Sequence, residues 1–173
     1  MPTTVTATIE NDISFTLLTT GGGQTQSETA SLGYSQALSN ATGVAGSLEI
    51  NYGLISSGDI TSGTKLYFDF LALNKLVFDT TSSIQFSSIK GVAIENTRTG
   101  YGEDFLIYAT GANGFTGLFN GGSGNLIIKP YAVCSYADPI SGTDCYAGNQ
   151  ELVIENIGLE TGTYQMVVVG VTG

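Results

Sequence analysis

The strongest constraint on the fold of this chain is the period of its apolar residues. Apolar and polar side chains alternate one by one in several short stretches, and no segment of ten or more residues has the spacing of an amphipathic helix. Such alternation, in stretches rich in β-branched and aromatic residues, is typical of strands. We predict strands at 3–9, 13–18, 48–52, 65–71, 88–96, 104–109, 125–129, 131–136, 151–156 and 164–171. Their number and spacing predict an all-β, antiparallel β-sandwich that is jelly-roll-like.

Two pairs of neighbouring strands are predicted to form hairpins. Strand 88–96 is followed by a turn at 99–102 and by strand 104–109, and strand 151–156 by a turn at 159–163 and the C-terminal strand. Both first strands end in Ile-Glu-Asn, at 94–96 and 154–156. Two such hairpins can come from opposite halves of one sandwich, but we interpret this short similarity as chance.

A polar segment interrupts the strand pattern near the N-terminus. Ser, Thr, Gln and Asn dominate the run from Gly21 to Gly46, which predicts a flexible Gly/Ser/Thr-rich arm or a segment that wraps over a neighbouring subunit. Residues 31–38 are predicted to hold an irregular strand or one to two helical turns. We expect a turn at Asn11–Asp12 and a loop with one helical turn at 71–77. The predicted division is 1–46 for N-terminal strands and arm and 47–173 for the sandwich, with one single domain as the alternative.

The charge balance disfavours two classes of partner. The chain has 173 residues with 15 acidic and 5 basic ones, a net charge of -10. Five basic residues cannot form a stripe that neutralises phosphates, so we expect no nucleic-acid binding and no binding to anionic membranes. Only 12% of the residues are charged, and a sparsely charged Gly/Ser/Thr-rich surface suits packing against other protein subunits.

Catalysis is not predicted, and neither is a cofactor. The chain contains no His, which removes the commonest general base and metal ligand together with the Ser-His-Asp and Cys-His arrangements. Acidic pairs at Glu103 with Asp104 and at Asp138 with Asp144 lack the regular spacing of a calcium loop, so we interpret them as solvated turn carboxylates. We therefore predict no catalytic, cofactor or metal residues.

The N-terminal residues and the hydropathy give an expectation about location. Residues 1–7 lack the basic and apolar regions of a signal peptide, and no stretch approaches 18 apolar residues. We expect synthesis in a cytoplasm without a leader and no membrane span.

Two cysteines bound a loop that contains Pro and Gly. Cys134 and Cys145 could form a disulfide that ties a hairpin loop, and two free thiols are the alternative. A zinc site is disfavoured because two Cys without further ligands are incomplete.

Three segments are the predicted working surface: the polar arm, the Gly-rich loop 111–124 and the loop between the cysteines. The candidate interface residues are the apolar ones in or beside these segments: Leu32, Tyr34, Leu38, Phe115, Leu118, Phe119, Tyr136 and Tyr146.

The order of motifs over most of the chain resembles a family of small structural proteins of tailed-phage virions. The matching segments are 31–38, 89–97, 111–119, 126–130 and 152–156, with Tyr164 and Gly170 at the end. The chain departs from the family pattern at Tyr131–Ala132, where glycines are expected, and in the cysteine-bounded loop. The resemblance implies a jelly-roll-like fold and a place in the virion.

These expectations combine into one functional hypothesis. The chain is expected to be a capsid decoration (cement) protein that stabilises the shell by binding between subunits of the major capsid protein, as a trimer or dimer. A neck, tail or fibre-base component, bound to another virion protein, is the first alternative. A host-glycan-binding module is the second.

Overall fold

The fold consists of fourteen strands in the part of the chain that the structure describes. This computed structural model describes residues 7–21, 24–40, 49–50, 52–77, 80–98, 100, 102–109, 114–119, 124–138 and 140–172, with the backbone alone within 7–55 and 74–82. The strands are β1 Ala7–Gly21, β2 Gln24–Asn40, β3 Glu49–Ile50, β4 Tyr52–Ile60, β5 Lys65–Asp69, β6 Leu73–Val77, β7 Thr80–Ile84, β8 Phe86–Asn96, β9 Phe105–Ala109, β10 Asn125–Ile128, β11 Val133–Ala137, β12 Thr143–Asp144, β13 Glu151–Asn156 and β14 Gly162–Thr172.

Two antiparallel sheets form the body of the protein. One has the order β11-β8-β14-β4, with short β12 also beside β8, and the other has the order β10-β9-β13-β5. Across the eight main strands, β4 pairs with β14, β5 with β13, β8 with β11 and β9 with β10. The first of these eight strands, β4, therefore pairs with the last, β14, and each further pair lies between the two strands of the previous pair in the sequence. This nested pairing is the topology of a long ribbon rolled into two sheets, a jelly roll, so the predicted fold class is confirmed.

The interior lies between the two sheets, because alternate residues of each strand point inward. The ring centroids of Phe70 and Phe115 are 4.9 Å apart in an edge-to-face arrangement. Full burial of one such side chain stabilises the fold by about 1.5–3 kcal/mol. The largest apolar side chains with 0% exposure come from both sheets and from the segments beside them: Phe70, Phe86, Ile89, Ile94, Phe105, Ile107, Phe115, Leu152, Ile154 and Met166.

The N-terminal residues form a long hairpin instead of a flexible arm. β1 pairs with β2 continuously, from Ala7 opposite Leu38 to Gly21 opposite Gln24. The turn predicted at Asn11–Asp12 is wrong, because both residues lie inside β1. β2 also pairs with β3, in parallel. Long-range pairing thus gives extended structure to a polar run whose local pattern was too weak to predict it.

Two further predictions are corrected by the strand pairing. Residues 71–77 were expected to be a loop with a helical turn, but Leu73–Val77 is strand β6 and pairs with β7. The predicted hairpins β8–β9 and β13–β14 do not exist, because the two strands of each pair belong to opposite sheets. The connections after Asn96 and Asn156 are crossovers between sheets, because β8 pairs with β11 and β14, whereas β13 pairs with β5 and β9.

Candidate interaction surface

Four connections between the sheets meet at one end of the sandwich. They are residues 61–64, 129–132, 157–161 and the described part of 97–104; this group is the crossover end. Their backbones bond to one another: the Gly63 amide donates to the Asn156 carbonyl at 2.8 Å, the Ile157 amide to the Asp104 carbonyl at 3.0 Å, and the Tyr131 amide to the Asn96 carbonyl at 2.8 Å. These hydrogen bonds link the four connections into one surface, which we call the platform.

The buried side chain of Asn156 is hydrogen-bonded to the backbone of the platform. Asn156 is 0% exposed, and its Nδ2 donates to the carbonyls of Ile60 and Glu160, each at 2.7 Å. Its Oδ1 accepts the amide hydrogen of Gly158 at 2.9 Å. One amide group therefore fixes the end of β4 and both sides of the β13–β14 crossover, because every polar atom of the side chain has a partner.

Asn96 does the same at the crossover from β8 to β9. It is 0% exposed, its Nδ2 donates to the carbonyls of Glu103 at 2.6 Å and Ile128 at 3.3 Å, and its Oδ1 accepts from the Arg98 amide at 3.3 Å. The repeated Ile-Glu-Asn of the sequence thus ends one strand in each sheet and positions the crossover that follows it. The similarity interpreted as chance has a shared structural role.

Large apolar side chains are exposed on this platform. Leu159 is 88% exposed, Tyr131 is 67% exposed, and Ile157 is also exposed. Tyr131 has φ +63°, a left-handed conformation that costs a non-glycine residue free energy. Exposed apolar groups on a fixed backbone bind a partner with little loss of conformational entropy, so this arrangement is typical of a contact surface.

Ion pairs neutralise the basic residues near the crossover end. Arg98 Nε lies 3.2 Å from the carboxylate of Glu103, which is buried, and Lys129 pairs with Asp104. Glu103 and Asp104, considered above as possible calcium ligands, each form an ion pair with a basic side chain instead. Within the described ranges, no group of three or more Cys, Asp or Glu residues could hold a metal ion.

The cysteines lie apart, and the predicted disulfide is wrong. Cys134 on β11 is opposite Ile94 of β8, while the amide of Cys145 bonds to the Ser87 carbonyl of the same strand. The two attachment points are separated by about 20 Å along β8, whereas a disulfide needs Cα atoms within about 7 Å. β11 and β12 follow one another beside β8 and do not form a hairpin. Both thiols are free and buried.

Burial makes these thiols poor ligands and nucleophiles. It raises the pKa of Cys134 and, with the charges of Asp144 and Asp69, raises the pKa of Cys145 to about 12. Burial also raises the pKa of Tyr136, whose hydroxyl lies 2.6 Å from Thr143 Oγ1. The thiolate is the reactive form, so both cysteines have the character of structural residues.

The candidate interface residues predicted from the sequence differ in how far the fold buries them. Phe115 and Phe119 are buried inside the chain, so they cannot contact a partner; Leu118 and Tyr136 are half-buried against the interior, and Tyr146 is exposed. Residues 114–119 pack against the interior, where the Phe115 amide donates to the Glu151 carbonyl at 2.8 Å and both rings join the buried cluster. Leu32, Tyr34 and Leu38 lie on the backbone of β2, and their side chains are outside the described part.

The sequence interpretation missed the residues of the crossover end. Leu159 stands in a turn between Gly158 and Glu160, where polar residues are usual. An apolar residue at such a position was the one sequence feature that could have indicated this surface. Among the described residues, no helix could cross a membrane.

Comparisons with known proteins add little. No protein-family model matches the chain, and no curated protein does. The crystal structure of Yersinia pseudotuberculosis-derived mitogen is 11% identical with a TM-score of 0.34, and the match covers 69% of this chain and 86% of that one. The Nora virus structure is 13% identical with a TM-score of 0.35, and the match covers 71% of this chain but only 59% of the viral one. At such low scores the likeness carries no argument about function, and the jelly roll rests on the strand order alone.

Proposed function

We propose that this chain is a structural protein of a tailed-phage virion, and specifically a capsid decoration protein that stabilises the shell by binding between major capsid subunits. The observation that carries the proposal is the crossover end, with Leu159, Tyr131 and Ile157 exposed on loops that Asn96 and Asn156 hold in place. The order of sequence motifs, which resembles that of small phage virion proteins, supports the choice of particle.

The proposed mechanism is burial of apolar surface between subunits. Complete burial of one Leu side chain contributes about 1.5–3 kcal/mol, which corresponds to roughly tenfold to a hundredfold in affinity. Repetition of this contact over a symmetric shell would multiply its effect through avidity. No bond-making chemistry is needed for such a role.

The test adds purified protein to capsids that lack it and measures occupancy and thermal stability of the shell. Leu159→Asp should reduce the affinity at least about tenfold, because a carboxylate would be buried in the contact. The matched control is Ile140→Asp, since Ile140 is also an exposed aliphatic residue but lies in the loop after β11, near Asp138 and away from the crossover end. Equal binding by both variants would reject this surface.

Copy number in purified virions separates the head from the rest of the particle. Hundreds of copies would support a decoration protein, whereas about a dozen or fewer would point to a neck, tail or fibre-base component. Quantitative mass spectrometry of whole particles gives this number directly.

A glycan-binding module is the second candidate, favoured by the exposed rings of Tyr67, Tyr131 and Tyr146. Aromatic rings can stack on sugars through their apolar faces. A glycan array with the full chain and with Tyr131→Ala tests it, and absence of binding by the full chain would dismiss it.

A further inference from the structure

The β1–β2 hairpin has one apolar face and one polar face. In an antiparallel pair, residues directly opposite one another lie on the same face, and the next row lies on the other face. The register pairs Ile13 with Leu32, and alternate rows from there define the apolar hairpin face. Its apolar members are Ala7, Ile9, Ile13, Phe15, Leu17, Ala30, Leu32, Tyr34 and Leu38. On the opposite face only Leu18 and Ala37 are apolar, and the other positions hold polar residues and one glycine.

A hairpin of this kind needs a layer to pack against. A two-stranded hairpin is marginally stable at best in water, and it gains stability when its apolar face is covered. Its carboxylates leave most of that face free of charge, because Glu10 and Asp12 lie on the polar face. Glu28 is the acidic residue of the apolar hairpin face, and it lies near the tip, opposite Leu17. The rest of the apolar hairpin face therefore suits burial against another apolar surface.

The hairpin extends away from its own sandwich. β2 pairs with β3 in parallel, through Ser39–Asn40 and Glu49–Ile50, and β4 begins shortly after β3, at Tyr52. Because the pairing is parallel and involves the end of β2, the rest of the hairpin lies on the side of β3 away from β4. Fifteen paired residues in each strand, with a rise of about 3.4 Å per residue, give a length of about 50 Å. The hairpin can therefore reach a neighbouring copy.

The outward face of the sheet β11-β8-β14-β4 is uncovered. Three rows of the strand register define this outer β14 face: Ser57-Gln165-Glu95-Val133, Ile55-Val167-Ala93-Ser135 and Gly53-Val169-Gly91-Ala137. The intervening residues Ile94 and Met166 belong to the buried interior. Val133 is 60% exposed and Val167 is 37% exposed, and Ser135 is exposed as well. No part of the same chain therefore covers this side of β11 and β14.

Charged residues lie toward the margins of the outer β14 face. Glu95 is the one charged residue of the three rows and lies in the row nearest the crossover end, with Asp59 beyond it. Asp138 and Asp144 lie beyond the opposite row, and Lys90 is buried. The middle of the face is uncharged, so the apolar hairpin face can pack there without burying a carboxylate.

We propose that the apolar hairpin face of one copy packs on the outer β14 face of a second copy. A second copy is favoured as the occupant because every copy carries both surfaces, and the exchange of hairpins covers both at once. The exchange closes as a pair or as a ring, and either form uses the same two surfaces. The proposal does not rest on the virion role, because that role was argued from the crossover end.

The area of the proposed contact is sufficient for association. The nine paired residues of β4 set an overlap of about 30 Å in length, and two strands are about 10 Å wide. Each contact then buries about 300 Å² on each side, and two reciprocal contacts bury about 1,200 Å² in total, which is the lower bound for specific interfaces. We therefore expect self-association that reverses on dilution.

Sedimentation equilibrium of the full chain at neutral pH tests the proposal over about 1–100 µM. The wild type should associate across this range. Leu17→Lys should raise the dissociation constant at least about tenfold, because an ammonium group would be buried in an apolar contact. The new Lys would lie opposite Glu28, so no like-charge pair would weaken the hairpin itself. The control is Leu18→Lys, the same change at the adjacent position on the polar face, which should stay within about twofold of the wild type.

A second pair of variants tests the outer β14 face. Val167→Lys should also weaken association at least about tenfold, whereas Ile127→Lys, at a 50% exposed aliphatic residue of β10 in the other sheet, should stay within about twofold. Ser135→Lys, at an exposed position on the edge strand β11, should act in the same direction as Val167→Lys and leaves the central strand β14 unchanged. Circular dichroism of each variant checks that the strands are retained.

The outcomes separate this proposal from its alternatives. A wild type that is monomeric throughout the concentration range would overturn it, as would equal effects within either matched pair. Weakening by Leu17→Lys without weakening by Val167→Lys and Ser135→Lys would overturn it too, because the hairpin would then pack on a different surface. Capsid binding by the Leu17→Lys chain, together with a monomeric wild type, would reject the exchange of hairpins while leaving the proposed function intact.

Discussion

Replacement of Asn156 by Ala should destabilise the fold more than any exposed substitution. The variant removes two donated hydrogen bonds, to Ile60 and Glu160, and one accepted bond from Gly158. The contacts with Ile60 and Gly158 are buried, and a buried polar group that loses its partner costs about 1–3 kcal/mol. The bond to Glu160 is partly exposed, so water can replace it at a smaller cost.

These contributions sum to a loss of about 3–5 kcal/mol in the free energy of unfolding, a large share of the 5–15 kcal/mol typical of a domain. At about 2–4 °C per kcal/mol for a chain of this size, Tm should fall by roughly 10 °C. Urea denaturation followed by circular dichroism measures the first quantity and calorimetry the second. Asn125→Ala is the matched control, because Asn125 is exposed on β10, and its effect should stay below about 0.5 kcal/mol.

Asn96→Ala should be intermediate, because two of its three hydrogen bonds measure 3.3 Å, longer than any made by the Asn156 side chain. A loss below about 1 kcal/mol for Asn156→Ala, or an effect equal to that of Asn125→Ala, would refute the reasoning that this amide fixes the crossover end.

The remaining predictions concern the thiols and one glycine. Folding raises the pKa of Cys145 from 9.0 to about 12, so the folded state keeps the thiol proton at a pH where the unfolded state loses it, and the free energy of unfolding should fall as pH rises from 9 to 12. Urea denaturation over this range should give a decline steeper than that of Cys145→Ala by at most about 1.4 kcal/mol per pH unit. The same pH dependence in both proteins would contradict the burial of this thiol. Both thiols should react with a maleimide far more slowly in the folded chain than in urea, and the non-reduced mass should show no disulfide; rapid modification of the folded chain would count against this. Gly162→Ala should cost about 1–3 kcal/mol in urea denaturation, because its Cβ would collide with the Phe105 ring, whereas Gly58→Ala, whose Cβ would lie 3.6 Å from Tyr164, should be nearly neutral; similar costs for both would exclude this collision as the cause.

The strand positions were predictable because alternation is a local property. Segments 88–96, 104–109, 125–129 and 151–156 match β8, β9, β10 and β13 with boundary errors of at most two residues. Their β-branched and aromatic residues alternate with polar ones on the scale of a few residues, and the backbone geometry of a strand requires nothing more. The β1–β2 hairpin escaped prediction because its second strand is polar, and polar strands form only where a partner strand supplies the hydrogen bonds.

The site was less predictable than the fold. Phe115 and Phe119 stand in a Gly-rich loop, and sequence alone could not distinguish an exposed loop aromatic from one that closes the end of the interior. Leu159 presented the opposite case, an apolar residue in a short turn that the fold leaves exposed. Whether such residues are buried depends on which other loops cover them, and that depends on strand order.

The chain by itself determined that the protein is all-β, that it carries no His-based chemistry, and that its surface is acidic and sparsely charged. These properties follow from residue type and spacing, which act over one strand or over the whole composition. Only the tertiary structure decided how the strands pair, how far apart the cysteines lie, and that Asn96 and Asn156 hold equivalent crossovers. Every strand of a jelly roll alternates in the same way, so the pattern cannot choose partners; packing between the sheets makes that choice, and with it decides which apolar residues remain exposed for a partner.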